Sequence, residues 1–321
     1  MTSNVKGALL ALAAFGIYAT HDVVIKYLGV HYTSFQIIFF SGLMGFPLST
    51  LMLLSDRTDG NLIPRHPYWS VVRSITAITT GAAAFYAFSV LPLAQTYAIL
   101  FAMPLLITVL AIPMLGEKVG IRRGLAVVVG LIGVLIVLRP GSADLSWGHA
   151  AALFAAVTGS MNSLIVRKIG AEERSIVLML YPMMASFFVT GALMPFVYVP
   201  MPIEHLALTG VIAGLGFVAA LLSIAAYRSA PAVIVAPMQY SQIIWAGFYG
   251  AIFFGESVDS WTLAGTAVIV ASGIYIVLRE GTGRVSKNSP VLSNKSRPET
   301  GLMPRISLLL GRAERRQSKD S

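Results

Sequence analysis

Gly7-Ala-Leu-Leu-Ala-Leu12 opens the first apolar stretch of the chain, and Gly148-His-Ala-Ala-Ala-Leu153 opens the sixth. In the same register, Lys26 falls opposite Arg167 and Gly29 opposite Gly170. Further along, Leu91-Pro92 meets Ala230-Pro231, and Gly116-Glu117 meets Gly255-Glu256. After a one-residue slip, Ile136-Val-Leu-Arg139 meets Ile276-Val-Leu-Arg279. Matches that keep one order along the chain point to an internal repeat rather than to shared apolar composition. Each half carries an odd number of apolar stretches, so the two halves insert upside down relative to each other.

A helical crossing needs about 20 mostly apolar residues. Ten segments meet that length, at 7–28, 34–54, 68–90, 93–115, 122–138, 148–169, 176–198, 206–228, 231–254 and 261–279. The expected fold is an all-α membrane protein of ten transmembrane helices arranged as two inverted five-helix repeats. The repeats occupy 1–140 and 141–280, and a basic tail, flexible or in part an interfacial helix, follows at 281–321. Composition agrees. The chain is 56% hydrophobic and 12% charged, against about 25% charged residues in soluble domains. The first stretch is too long for the apolar core of a signal peptide and is read as a retained span.

The net charge is +9, but beyond Arg279 nine Lys/Arg face four Asp/Glu, so five of those nine charges lie in the tail. A basic tail suits anionic lipid headgroups, and no nucleic acid partner is expected. With the N-terminus inside, Lys6, Arg57, Arg65, Lys118, Arg122, Arg123, Arg167, Lys168, Arg174 and Arg228 all fall on the cytoplasmic side. Only Lys26 and Arg139 lie near the outer face. Positive charge collects inside, so both termini are expected in the cytoplasm of a multi-pass protein of the cytoplasmic (inner) membrane.

Several function classes drop out. There is no cysteine, hence no disulfide and no thiolate metal site. The chain has no G-x-x-x-x-G-K-[ST] phosphate loop, no H-E-x-x-H and no G-x-S-x-G. The five histidines, His21, His31, His66, His149 and His205, are scattered over both faces of the membrane. No catalytic residue, cofactor or metal is expected. Rings of like charge or repeated pore loops, which would indicate a channel, are also missing.

Polar groups within the spans carry the remaining information, because charge in hydrocarbon is costly and persists only with partners or water. His21, Asp22 and Lys26 cluster late in span one. Asp22 and Lys26 are four apart and share a helix face. Two readings stand: a site that exchanges a proton, with His21 and Asp22 as coupling candidates, or a salt bridge with Lys26 reaching for headgroups. Arg73, early in span three, either snorkels or holds an anionic group in a cavity, and Thr76 and Thr80 continue its face. Span nine aligns Gln239, Gln242, Ala246 and Tyr249, flanked by Tyr240 and Trp245, so that amides and rings can bond and stack a polar organic solute. The alternative for the amides is interhelical bonding. Span four offers Tyr97, Phe101 and Pro104, the last freeing a backbone carbonyl. Span six adds Thr158 and Asn162; Asn162 and Ser163 stand at the repeat positions of His21 and Asp22. Glu117 and Glu256, at the ends of spans four and nine, either complement a following helix start or form gating ion pairs, with Lys26, Arg167 and Pro104 counted as structural or gating positions. Gly130 and Gly133, and the GxxxG pair Gly210 and Gly214, are expected to admit close helix approach.

These features together resemble the drug/metabolite transporter superfamily in its ten-span form, built from two EamA-type repeats. The resemblance rests on Lys26, Arg73, Ala87 to Pro92, Pro104 and the two Gly-Glu pairs, and spans residues 6–280. His21-Asp22-Val-Val-Ile-Lys-Tyr-Leu-Gly29 and Ser34-Phe-Gln-Ile-Ile-Phe-Phe40 are similar to the subgroup of S-adenosylmethionine carriers, except that Ser41 stands where an Arg is expected. The resemblance implies a secondary transporter for a small organic metabolite, by alternating access around a central cavity. S-adenosylmethionine is the first candidate, and export of amino acids or related metabolites is the alternative.

Overall fold

The structure is a computed structural model that describes residues 3–54, 62–117, 119–140, 145–170, 172–173 and 175–281. The expectations for the tail beyond 281 and for most of the loop after span two lie outside the described residues. The chain forms α1 (Ser3–Gly29), α2 (Ser34–Leu54), α3 (Pro67–Val90), α4 (Leu93–Leu100), α5 (Met103–Leu115) and α6 (Ile121–Leu138). Then come α7 (Trp147–Ile169), α8 (Ser175–Val197), α9 (Ile203–Ser229), α10 (Ala232–Val235), a 3-10 turn (Ala236–Ser241), α11 (Gln242–Phe254) and α12 (Ser260–Gly281). No β-strand forms among the described residues.

Among the described residues, eight segments are long and apolar enough to cross a membrane, Leu93–Leu115 counting as one, and α2 is apolar over Ser34–Leu48. The composite from α10 to α11 completes ten crossings. Span ends fall within four residues of those expected.

The largest departure is inside spans four and nine, which the sequence presents as continuous helices. Both are broken, and the cause is proline. Pro104 lies in the first turn of α5 and has no N–H for the carbonyl of Leu100. Pro237 does the same to Val233, and there the chain tightens into 3-10 geometry for six residues. Both spans then close alike. Gly116 and Gly255 take left-handed conformations, with φ of 68° and 64°, and stop α5 and α11. The amides of Glu117 and Glu256 fold back onto the carbonyls of Ala111 (3.4 Å) and Gly250 (2.9 Å).

Packing pairs elements from opposite halves. α1 lies along α9 and α3 along α7, which are repeat-related interfaces, and α6 lies along α12. The α6–α12 contact depends on glycine. A Cβ on Gly265 would stand 2.6 Å from the carbonyl oxygen of Gly133, and one on Gly133 would stand 2.9 Å from that of Gly265. The close approach expected at Gly130 and Gly133 is therefore present. Gly210 and Gly214 behave otherwise. Among the described residues, a Cβ on either meets nothing within 4 Å, so these two glycines border open space rather than a close helix contact. On α12, the Asp259 carboxylate caps the start by accepting the amides of Trp261 (2.9 Å) and Thr262 (3.1 Å). Partial burial opposes its charge, but the Thr262 groups and Arg139 outweigh this and hold it below the usual carboxylate range.

Candidate functional site at the crossing of spans one, four and nine

The break in span four places Tyr97 one turn before the kink, facing α1. Its hydroxyl donates to Oδ2 of Asp22. Oδ1 of Asp22 meets Nδ1 of His21 at 2.8 Å. From span nine, Nε2 of Gln242 donates to the Tyr97 hydroxyl at 3.3 Å. Asp22 and Tyr97 are both fully buried, and Gln242 is only 1% exposed. The surroundings are aromatic: Phe85 stands edge-on to His21 at 6.2 Å, and Phe88 edge-on to Tyr97 at 5.2 Å. A carboxylate in such a place is stable only while its hydrogen bonds hold. Carboxyl, imidazole and phenol in one chain can accept or release a proton without exposing a bare charge. The sequence nominated all four residues, but not that three spans meet on one hydroxyl.

Lys26 lies one turn further along α1 and is 8% exposed. Its ammonium meets Oε1 of Glu256 at 2.6 Å and donates to the carbonyl of Leu91. That corrects the reading of Lys26 as a headgroup-seeking side chain. Oε2 of Glu256 accepts the amide of Leu93 at 2.9 Å, at the start of α4. Leu93–Leu115 crosses the molecule once, so Glu117 stands at the opposite end. There it pairs with Arg167. The neighbouring Lys168 donates to the last-turn carbonyl of Met114 at 3.1 Å and lies over the Trp69 ring at 4.4 Å. The four positions matched by the repeat thus form two ion pairs, each joining one half of the chain to the other. Removing one partner from a buried pair costs about 3–5 kcal/mol, because the other charge is left alone.

The remaining nominated residues divide. Arg73 donates to the carbonyl of Leu178. Pro182, four residues on, has no N–H for that carbonyl, so the guanidinium fills a place the proline left vacant. Thr80 donates to the Thr158 hydroxyl at 2.8 Å across the α3–α7 contact. Tyr240 packs edge-on against Phe101 at 5.0 Å with its hydroxyl beside Gly273 of α12, so both rings belong to the core between α4 and α12. Asn162 is 8% exposed, and its Oδ1 has no hydrogen-bond partner among the described residues. Gln239 is half-buried. Trp245 is 37% exposed, stacks on Tyr249 at 6.0 Å and rests over Gly16, and the Tyr249 hydroxyl accepts from Thr20 at 3.1 Å.

Other polar contacts had no counterpart in the sequence reading. The Gln36 amide clamps both backbone groups of Val199, at 2.6 and 2.9 Å. The Tyr32 hydroxyl meets Nδ1 of His205 at 2.7 Å, and His205 stacks on His31 at 5.4 Å. An amide in the first turn of an apolar span was the available signal for Gln36. The His205 contact joins residues 173 apart and had none. A cavity of about 740 Å³ opens between the α1–α2 turn, α3 and the end of α8, walled by Val30, Ile78, Tyr86 and Phe154. None of the nominated residues lines it.

Comparison with known proteins agrees with this architecture. The EamA-like transporter family matches residues 5–139. The chain is similar to an S-adenosylmethionine uptake transporter of Rickettsia prowazekii, 25% identical over 284 residues that cover 87% of this chain and 94% of that one. It is also similar to a pseudopaline exporter of Pseudomonas aeruginosa, 24% identical over 274 residues, covering 84% and 95%. A riboflavin transporter of Rhizobium johnstonii is 25% identical over 217 residues, covering 67% and 72%. One solved crystal structure shares the fold with a TM-score of 0.53 at 17% identity, covering 88% of this chain and 98% of that one. Ten helical crossings, the Gly-Glu ends of spans four and nine, and these comparisons lead to one statement: residues 5–139 match the EamA-like transporter family, and most of the chain is similar to bacterial membrane transporters.

Proposed function

We propose that the protein is a secondary transporter that moves a small organic metabolite by alternating access, with proton exchange at Asp22. The two halves, 1–140 and 141–280, rock against each other, and both termini lie in the cytoplasm. The observation that carries this reading is the buried contact of Asp22, Tyr97 and Gln242, which ties spans one, four and nine together through one ionisable group. Protonating Asp22 removes the charge that the Tyr97 hydroxyl and His21 stabilise, and so loosens α1 from α4. A step of that kind links proton binding to movement of the halves. S-adenosylmethionine is the first candidate substrate, because relatives along most of the chain carry that name. Export of an amino-acid-like metabolite is the second reading, favoured by the exporter among the relatives.

The test is uptake of labelled S-adenosylmethionine by cells expressing the protein, against an empty-vector control and with unlabelled amino acids as competitors. Saturable uptake, competed by the unlabelled compound alone, is expected. No uptake above control in cells that contain the protein rejects this substrate and turns the search to metabolites released into the medium.

A further inference from the structure

We propose that Lys26–Glu256 and Arg167–Glu117 are reciprocal latches, one at each end of the molecule, of which one opens while the other stays closed. The inference rests on the transporter reading above. Four observations carry it. The pairs are related by the repeat, and each joins a span of one half to the Gly-Glu end of a span in the other. They stand at opposite ends of the single crossing Leu93–Leu115. Each acid directly follows a left-handed glycine, Gly116 or Gly255, where the backbone can turn without a Cβ in the way. Each pair also sits beside a basic side chain's bond to a backbone carbonyl, Lys26 to Leu91 and Lys168 to Met114. The same arrangement therefore stands at both ends of the molecule.

The physical chemistry makes such a pair a switch. The Lys26 and Glu256 side chains are 10% and 17% exposed, and those of Arg167 and Glu117 18% and 3%. Separating the charges inside a dry interface is prohibitive. Separating them where water enters is cheap, because hydration replaces the lost attraction. A latch therefore opens only together with the wetting of its own end. One guanidinium nitrogen of Arg167 is buried with no hydrogen-bond partner among the described residues, so that latch has an incentive to reach water. Both pairs are made in this structure. Asp22 lies one turn from Lys26 on α1, so loosening at the proton site is transmitted to the first latch through a single rigid helix.

The chain has no cysteine, so single cysteines can be placed in the otherwise native protein. Ala94→Cys reports beneath Glu256, where both residues border a small cavity. Ala111→Cys reports beneath Glu117, whose amide bonds its carbonyl. Labelling by a membrane-impermeant maleimide is followed from each side, with no substrate present. Glu256→Gln is expected to raise labelling of the Ala94 reporter about tenfold and to leave the Ala111 reporter at or below its parental rate. Glu117→Gln is expected to do the reverse. The charge-reversed doubles, Lys26→Glu with Glu256→Lys and Glu117→Arg with Arg167→Glu, should return each reporter to the parental rate, and they serve where a single change does not fold. Unchanged labelling, or a rise of both reporters together, overturns the proposal, since a purely structural pair loosens the whole fold. Labelling needs no substrate, so its failure leaves the transport reading intact, and a failed uptake assay leaves the latches intact.

Discussion

His21 and Asp22 on α1 and Asn162 and Ser163 on α7 occupy matching places in the two halves, yet only the first pair can ionise. The difference extends to their surroundings. In the register that matches Leu91-Pro92 with Ala230-Pro231 and Gly116-Glu117 with Gly255-Glu256, Tyr97 has Ala236 as its counterpart, and Gln242 has Met103. The scaffold follows the opposite rule. Gly116 and Gly255 share one backbone conformation, Glu117 and Glu256 both take a basic partner, and α1–α9 and α3–α7 are equivalent contacts. The duplicated features join the two halves, whereas the unduplicated ones gather around one buried carboxyl group, that of Asp22.

The hardest blow to the comparison is Asp22→Asn. A potential of 100 mV supports about 50-fold accumulation per charge moved. The variant is expected to lose that accumulation while keeping counterflow exchange in proteoliposomes. Accumulation at the parental level would remove Asp22 from the coupling role. Adding Asn162→His and Ser163→Asp should not rescue it, because Ala236 offers no hydroxyl to the new carboxyl. Tyr97→Phe comes next. It leaves a buried carboxylate oxygen short of a donor, a deficit of about 1–3 kcal/mol, and transport should fall by one to two orders of magnitude with normal membrane insertion. On the scaffold side, Gly265→Ala drives a Cβ into the carbonyl of Gly133 and should lower stability in detergent by about 1–3 kcal/mol. Retention of parental stability would show that α6 and α12 separate easily. Gln242→Ala and Gln239→Ala should each weaken apparent substrate affinity about fivefold, the equivalent of roughly 1 kcal/mol for a lost hydrogen bond. Unchanged affinity in well-inserted variants would reduce both to packing. Thr80→Val, which breaks the hydroxyl contact with Thr158, should cost only about 0.6 kcal/mol and leave transport rates alone.

Much of the fold was legible in the chain itself. Hydrocarbon thickness sets the length of each crossing, so apolar runs mark spans with little ambiguity. The same cost of polar groups in lipid singled out His21, Asp22, Lys26, Glu117, Arg167, Gln242 and Glu256 as residues that need partners. Helical spacing could not say which partner each would take. Asp22 and Lys26 looked suited to each other because they share a face of α1, but the structure gives Lys26 a glutamate 230 positions away in the chain, at 2.6 Å. Arg73 had the features of an anion hook until Pro182 left the carbonyl of Leu178 without its helical donor. Gly210 and Gly214 had the spacing of a close helix contact, yet nothing among the described residues lies within 4 Å of a Cβ at either position.

The sequence by itself determined which stretches are long and apolar enough to cross a membrane, and which polar side chains could not remain alone there. Those are local matters of length, composition and the cost of desolvation. Only the tertiary structure decided that spans four and nine break, that Tyr97 is where three spans meet, and that the four matched charges pair between the halves rather than within them. Such choices depend on which surfaces meet across many residues, and a buried polar group takes whichever partner the packing brings within reach.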